Sequence, residues 1–229
     1  MRGFALIATF LLLAACGQDA PPAAEPTKSA VELPPDIPVM GPEVRIMAFG
    51  DSLLTGYGLK DGESYPAQME AALRARGVNA RIANAGVSGD TTADGLKRLA
   101  FALDSQDRAP DLVLISLGGN DMLRALPPAQ TRQNLDTMLT LLHERGVKVL
   151  LLGMLAAPNL GKDYAAQFNS IYPELAKKHG AALVPFFLQP LMDRPELVQK
   201  DKVHPTEQGI EEMVAQTIDQ VTAPLPKAN

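Results

Sequence analysis

The sequence predicts an α/β fold of three layers, α/β/α, in which a five-stranded parallel sheet is doubly wound between two helical layers. Three observations carry this expectation. From residue 44 onward five short apolar runs, at 44–49, 80–83, 112–117, 147–152 and 181–184, alternate with amphipathic stretches. Three of those stretches end on a basic residue followed by glycine, at Arg76-Gly77, Arg145-Gly146 and His179-Gly180, where glycine accepts the left-handed backbone that closes a helix. Each such stop is followed within a few residues by another apolar run, the pattern of parallel strands joined by helical crossovers.

In chain order, strand 44–49 leads to a helix at 65–76, and strand 80–83 to a helix at 92–103. Asp90 and Thr91 are expected to cap the second of these helices, and Gly86 to serve the geometry of a turn. Strand 112–117 precedes a helix at 129–145, strand 147–152 a helix at 162–179, and strand 181–184 a closing helix at 205–221. Ligands of such sheets bind beyond the carboxyl ends of the strands, so chemistry-bearing motifs should follow strands.

Composition narrows the function classes. With 229 residues, 46% hydrophobic and 21% charged, the chain has room for one compact domain, expected at 44–223 with a short tail at 224–229. Lys and Arg total 21 against 26 Asp and Glu, so a nucleic-acid partner lacks its usual electrostatic drive. The single cysteine, Cys16, excludes an internal disulfide and a cysteine-rich metal site. Nothing has zinc-ligand spacing, and no glycine loop with the expected lysine precedes a helix, so no metal and no cofactor are expected.

Residues 1–15 read as a targeting segment, with Arg2 ahead of an apolar run at 4–13 that is too short to span a bilayer. The run ends in Leu13-Ala14-Ala15-Cys16, which resembles the bacterial lipobox; the alternative is an ordinary signal peptide with an incidental cysteine. The resemblance implies that Cys16 is lipidated and that the protein is an exported lipoprotein facing the periplasm. Gly17 stands where an aspartate often retains lipoproteins in the inner membrane, which favours the outer membrane. Residues 16–43 carry seven prolines, at 21, 22, 26, 34, 35, 38 and 42, a composition that buries no core and suits a tether.

Motifs do follow the strands. Gly50-Asp51-Ser52-Leu53-Leu54 comes after the first, Asn84-Ala85-Gly86-Val87-Ser88-Gly89-Asp90-Thr91 after the second and Gly118-Gly119-Asn120-Asp121 after the third, while Asp201-Lys202-Val203-His204-Pro205 stands near the C-terminus. A serine hydroxyl attacks an ester carbonyl only if a neighbouring base takes its proton, and histidine titrates in the useful range. Asp201, three positions before His204, is close enough on a turn or helix start to fix the imidazole tautomer. His143 and His179 fall in the last turns of expected helices and read as surface or helix-end residues. Asp51-Ser52 also has the form of a helix cap, and Asp201 with Pro205 that of a helix start. A helix start can hold a catalytic pair.

The four blocks in this order resemble the SGNH or GDSL hydrolase superfamily, in its arylesterase and thioesterase I (lysophospholipase L1) branch, across roughly residues 44–223. The resemblance implies a flavodoxin-like SGNH hydrolase fold. It also implies a serine esterase for aryl or short-to-medium acyl esters, acyl thioesters or lysophospholipids, working through an acyl-enzyme. It assigns Ser52 as nucleophile, His204 as base and Asp201 as orienting acid, with Ser52 N–H, Gly89 N–H and the Asn120 side-chain amide as oxyanion donors. Ser88 receives no base. The segment 154–161 should flank the site, and Ala157-Pro158 stands, with a one-residue shift, where that branch has a Leu-Pro pair that helps bind the acyl chain. Two further readings share these residues: a carbohydrate-ester deacetylase on the same fold, and an inactive, membrane-tethered binding lipoprotein. The absence of Gly-x-Ser-x-Gly disfavours an α/β-hydrolase arrangement.

Overall fold

The computed structural model describes residues 39–226. The expected signal segment, Cys16 and the tether as far as residue 38 lie outside them. Five strands, β1 (Val44–Gly50), β2 (Ala80–Gly86), β3 (Leu112–Ser116), β4 (Lys148–Leu152) and β5 (Ala182–Val184), form one parallel sheet in the order β2-β1-β3-β4-β5. All five residues of β3 are buried, as a strand covered on both faces must be. Order reverses at β1, whose two neighbours are β2 and β3, and the site opens at the carboxyl ends of these three strands.

The helices are α1 (Ser52–Thr55), α2 (Tyr65–Ala75), α3 (Thr92–Asp104), α4 (Gly119–Leu123), α5 (Pro128–Glu144), α6 (Lys162–Asn169), α7 (Ile171–His179) and α8 (Glu207–Thr222). On one face α2 meets α8, joined by a buried hydrogen bond between Tyr65 Oη and Thr217 Oγ1 at 2.7 Å. On the other, α5 packs against α3 and α7. The three glycine stops occur as expected, with Gly77, Gly146 and Gly180 at φ of 82°, 67° and 63°.

Several expectations need correction. The helix expected at 162–179 is two helices meeting at Ser170, because Pro173 has no amide to offer the carbonyl of Asn169. The last helix begins at Glu207 with the Thr206 hydroxyl accepting from Gly209 N–H, so neither Asp201 nor Pro205 starts it. Thr91 caps α3 in a reciprocal capping box with Asp94, whereas Asp90 pairs with Arg98 instead. Gly86 is the end of β2 and not a turn residue; a Cβ there would stand 2.9 Å from Thr55 N and 3.0 Å from Asp51 O. Leu225 is buried in the core, and Gly41 O and Glu43 O accept from Asn79 and Arg108, so both edges of the domain are docked.

Candidate active site

The turn that carries Ser52 follows from the end of β1. Asp51 Oδ1 accepts the N–H of Leu53 at 3.1 Å and so caps α1, leaving Ser52 as its first residue; the cap and the motif are one feature. Val87 N–H reaches back to Gly50 O at 2.9 Å, which draws the chain after β2 beside this turn. Gly89 there takes φ 86°, a conformation that favours glycine, and its carbonyl accepts from Arg124 Nη2 at 2.8 Å. No acceptor among the described residues takes the N–H of Ser52 or of Gly89.

After β3, Gly118 turns at φ 109° over Tyr172, whose hydroxyl donates to Leu117 O at 2.8 Å. This turn starts α4 and delivers Asn120. Its neighbour Asp121 is buried and accepts from Thr92 N–H, the Thr92 hydroxyl and the Thr131 hydroxyl, tying α4 to α3 and α5. Asn120 Nδ2 donates to Asp90 O at 3.0 Å and to Asp51 Oδ2 at 3.2 Å, so both of its protons are engaged.

His204 comes from a ten-residue loop closed on itself by Gln199 N–H to His204 O at 2.7 Å and Thr206 N–H to Leu197 O at 2.8 Å. Within it, Lys202 adopts the left-handed conformation at φ 61°, uncommon for a residue with a Cβ, and the chain doubles back so that Asp201 faces His204. His204 Nδ1 lies 2.6 Å from Asp201 Oδ2, and His204 Nε2 lies 2.8 Å from Ser52 Oγ. Asp201 Oδ1 also accepts the N–H groups of Val203 and His204, at 2.9 and 3.0 Å. The imidazole hydrogen bond above all, then these two amides, hold the Asp201 carboxyl down at about 2.

Sequence reasoning missed two neighbours of this array. Tyr57 lays its ring against the His204 imidazole, with centroids 4.5 Å apart, and Gln199 Nε2 donates to its carbonyl at 2.8 Å. Asp51, read only as a cap, is buried beside Ser52, and burial pushes its carboxyl up to about 6. The Asp-Ser pair and the two glycines flanking Tyr57 were visible, but nothing in the pattern gave the depth of Asp51. Ala157 and Pro158 line the cleft, and Ser88 lines it too but bonds to Thr55 Oγ1 at 3.0 Å and meets no histidine. His143 is exposed, and His179 pairs with Asp136.

The cleft over Ser52 holds about 650 Å³, within the usual range for small-ligand sites, and its walls include Tyr57, Leu123, Met154, Leu155, Met192 and Val203. Among the described residues no group of three or more His, Cys, Asp and Glu is placed to hold a metal ion.

A serine, histidine and aspartate joined in this way at the strand ends agree with a family model, that of the GDSL-like lipase/acylhydrolases, which matches residues 48–211. The chain belongs to that family. Among curated members, the arylesterase of Vibrio mimicus is 39% identical over 177 residues, covering 76% of this chain and 88% of its own. The thioesterase 1/protease 1/lysophospholipase L1 of Escherichia coli K12 is 35% identical over 160 residues, covering 70% of this chain and 74% of its own. Among solved structures, the SGNH-hydrolase family esterase AlinE4 is 57% identical with a TM-score of 0.70, covering 82% of this chain and all of that one. The five-stranded GDSL-family sheet expected from the sequence is thus the fold of this chain.

Proposed function

We propose that the chain is a serine ester hydrolase in which Ser52 is the nucleophile, His204 the general base and Asp201 its orienting acid. The unbroken run of hydrogen bonds from Ser52 Oγ through the imidazole to Asp201 carries this reading. With the Nδ1 proton directed at the carboxylate, Nε2 keeps its lone pair for the Ser52 proton as Oγ adds to the carbonyl carbon. The carbonyl electron pair moves to oxygen, where the N–H groups of Ser52 and Gly89 and the Asn120 amide donate to the developing charge. Collapse breaks the bond to the leaving oxygen, or sulfur in a thioester, and that group takes the imidazolium proton. Water then attacks the acyl-enzyme with His204 again as base, and collapse breaks the bond from Ser52 Oγ to the acyl carbon, the imidazolium returning its proton to Oγ as the carboxylic acid leaves. Asp201, with its carboxyl held near 2, is charged throughout and faces the imidazolium of each step.

The apolar walls of the cleft support aryl and short-to-medium acyl esters, and the relatives' names extend the candidates to acyl thioesters and lysophospholipids. The same walls offer little hydrogen bonding to a sugar, which speaks against a carbohydrate deacetylase. The intact array speaks against an inactive binding protein. Replacing Ser52 with Ala should reduce hydrolysis of a short-chain aryl ester to near background and abolish labelling by an organophosphonate. Persistent labelling at another serine would transfer the nucleophile's role to that residue. A panel of esters and thioesters graded in chain length would rank the substrates.

We also propose, on the Leu13–Cys16 sequence, export and anchoring through a lipid on Cys16. Cys16→Ser should move the protein out of the membrane fraction, with full hydrolysis in the soluble form, because residues 44–222 contain the whole site.

A further inference from the structure

Arg98, on α3, touches the chain at three places around the site without reaching the cleft itself. Its Nη2 donates to Gly50 O at 2.8 Å, its Nη1 to Ala85 O at 2.8 Å and its Nε to Asp90 Oδ2 at 2.6 Å. The guanidinium carbon stands 4.1 Å from the centroid of the Phe49 ring, so a cation–π contact holds its remaining face. The side chain is 22% exposed and that of Asp90 12%. Taking such a pair from water is costly, and stability alone is a weak reason to keep it.

Two of the three partners, Gly50 and Asp90, share one property. Gly50 lies two residues before Ser52, Asp90 directly follows Gly89, and Asp90 O accepts from Asn120 Nδ2. Each group assigned to the oxyanion is therefore a residue or two from an atom that Arg98 holds, or is hydrogen-bonded to the residue it holds. Regular pairing of β1 with β2 and β3 ends at Gly50, and beyond it the backbone adds only Val87 N–H to Gly50 O and Asp51 N–H to Ser116 O, neither of which reaches Gly89 or Asp90; Arg98 ties Gly50 O to Asp90 directly. A guanidinium presents its N–H groups in one rigid plane, so it fixes the spacing of its acceptors in a way that a lysine ammonium does not.

We infer that Arg98 is a positioning residue of the oxyanion hole, setting the distance between the nucleophile turn and the Gly89–Asp90 loop so that the three donors converge. This rests on the reading of Ser52, Gly89 and Asn120 as oxyanion donors.

The test compares Arg98→Met, Arg98→Lys and Asp90→Asn with Asn120→Ala and with Arg132→Met in the full chain. Arg132 serves as a control because it makes a similar bridge, to Glu174 and Ser170, away from the cleft. The readouts are thermal melting, active sites titrated with an organophosphonate, kcat and KM for a p-nitrophenyl ester, and inhibition by an alkylboronic acid, which gives a tetrahedral adduct on serine. Arg98→Met should lower kcat per titrated site by roughly 10–100-fold, the scale of a misplaced reacting group. Its KM should stay within about two-fold, and the boronic acid should weaken by the same factor as kcat falls. Arg98→Lys should not restore the rate, and Arg132→Met should leave all three constants unchanged. Should Arg98→Met fail to fold, Asp90→Asn reads the same tie from its other end. A folded Arg98 or Asp90 variant with kcat within about two-fold of the parent, while Asn120→Ala loses activity, overturns the role of Arg98 alone. Retention of kcat by Asn120→Ala would instead overturn the assignment of Asn120 as a donor.

Discussion

Asp51 and Asp201 belong to one site and are driven in opposite directions by their surroundings. Asp51 has 2% of its surface exposed, and burial raises its carboxyl to about 6 against the opposing pull of the Leu53 amide, the His204 charge and the Asn120 amide. The Asp201 side chain is 38% exposed, yet three hydrogen bonds from His204 and Val203 hold it at about 2. The acid proposed to orient the base is thus the solvated one, in a loop with a left-handed Lys202, whereas the acid next to Ser52 is a buried part of the sheet end. Site precision comes from different sources in the two halves. Around Ser52 it comes from close packing and buried hydrogen bonds; around His204 it comes from a loop bonded to itself.

The largest test of this contrast exchanges each acid for its amide. Asp201→Asn replaces the acceptor facing His204 Nδ1 with a group that favours the wrong tautomer, and the same exchange in a serine protease triad costs about 10⁴-fold in kcat. A loss of that order is expected here, with melting temperature little changed because the side chain is solvated. Asp51→Asn should cost far less in kcat. If kinetics at pH 8 rank the two variants the other way, Asp51 is the catalytic acid and the division proposed here is wrong.

A smaller effect is expected at Asn120, which belongs to the buried half. Asn120→Ala should lower kcat by roughly 10²–10³-fold, about 2.7–4 kcal/mol, with KM little moved, since its bond strengthens only as charge builds on oxygen. The substitution also leaves Asp90 O and Asp51 Oδ2 without this donor, so rates must be taken per titrated site and compared with the folded fraction from thermal melts. Asn120→Asp should be at least as damaging because a carboxylate repels the oxyanion. Activity that falls only with the folded fraction would make Asn120 a turn residue.

The two halves were also unequally legible in the sequence. Strands and long helices declared themselves through apolar runs and basic-glycine stops, and Ser52, His204 and Asp201 stood out because their motifs followed strands or came late in the chain. Short elements did not: α1 and α4 have four and five residues, too few for a 3.6-residue period to register. The break at Ser170 was written in Pro173 but hidden within continuous amphipathic sequence. Arg98, Tyr57 and the burial of Asp51 depend on contacts between segments distant in the chain, as when Arg98 reaches Gly50, and local pattern carries no record of them.

The smallest expected effect sharpens the contrast through stability. The folded-state value of Asp51, about 6, lies above its ordinary 3.8, so between these values the folded chain holds more of this proton than the unfolded chain does. Stability contributed by this group is therefore full below about pH 4, falls as pH rises toward 6, and stays lowered above that. A shift of this size corresponds to about 3 kcal/mol at most, or several degrees of melting temperature for a domain of this length. Other carboxylates titrate in the same window, and Asp201 works in the opposite sense, its small contribution being lost only as pH falls toward 2. Subtracting the melting curve of Asp51→Asn removes those shared terms. The amide keeps an acceptor for Leu53 N–H and loses the bond from Asn120 Nδ2, a cost that does not vary with pH. The wild-type minus Asp51→Asn difference should consequently decline between pH 4 and 6 and level off by pH 7. Parallel melting temperatures across that range would show that Asp51 ionises as an ordinary carboxylate, and the buried half of the site would then lose its distinguishing charge.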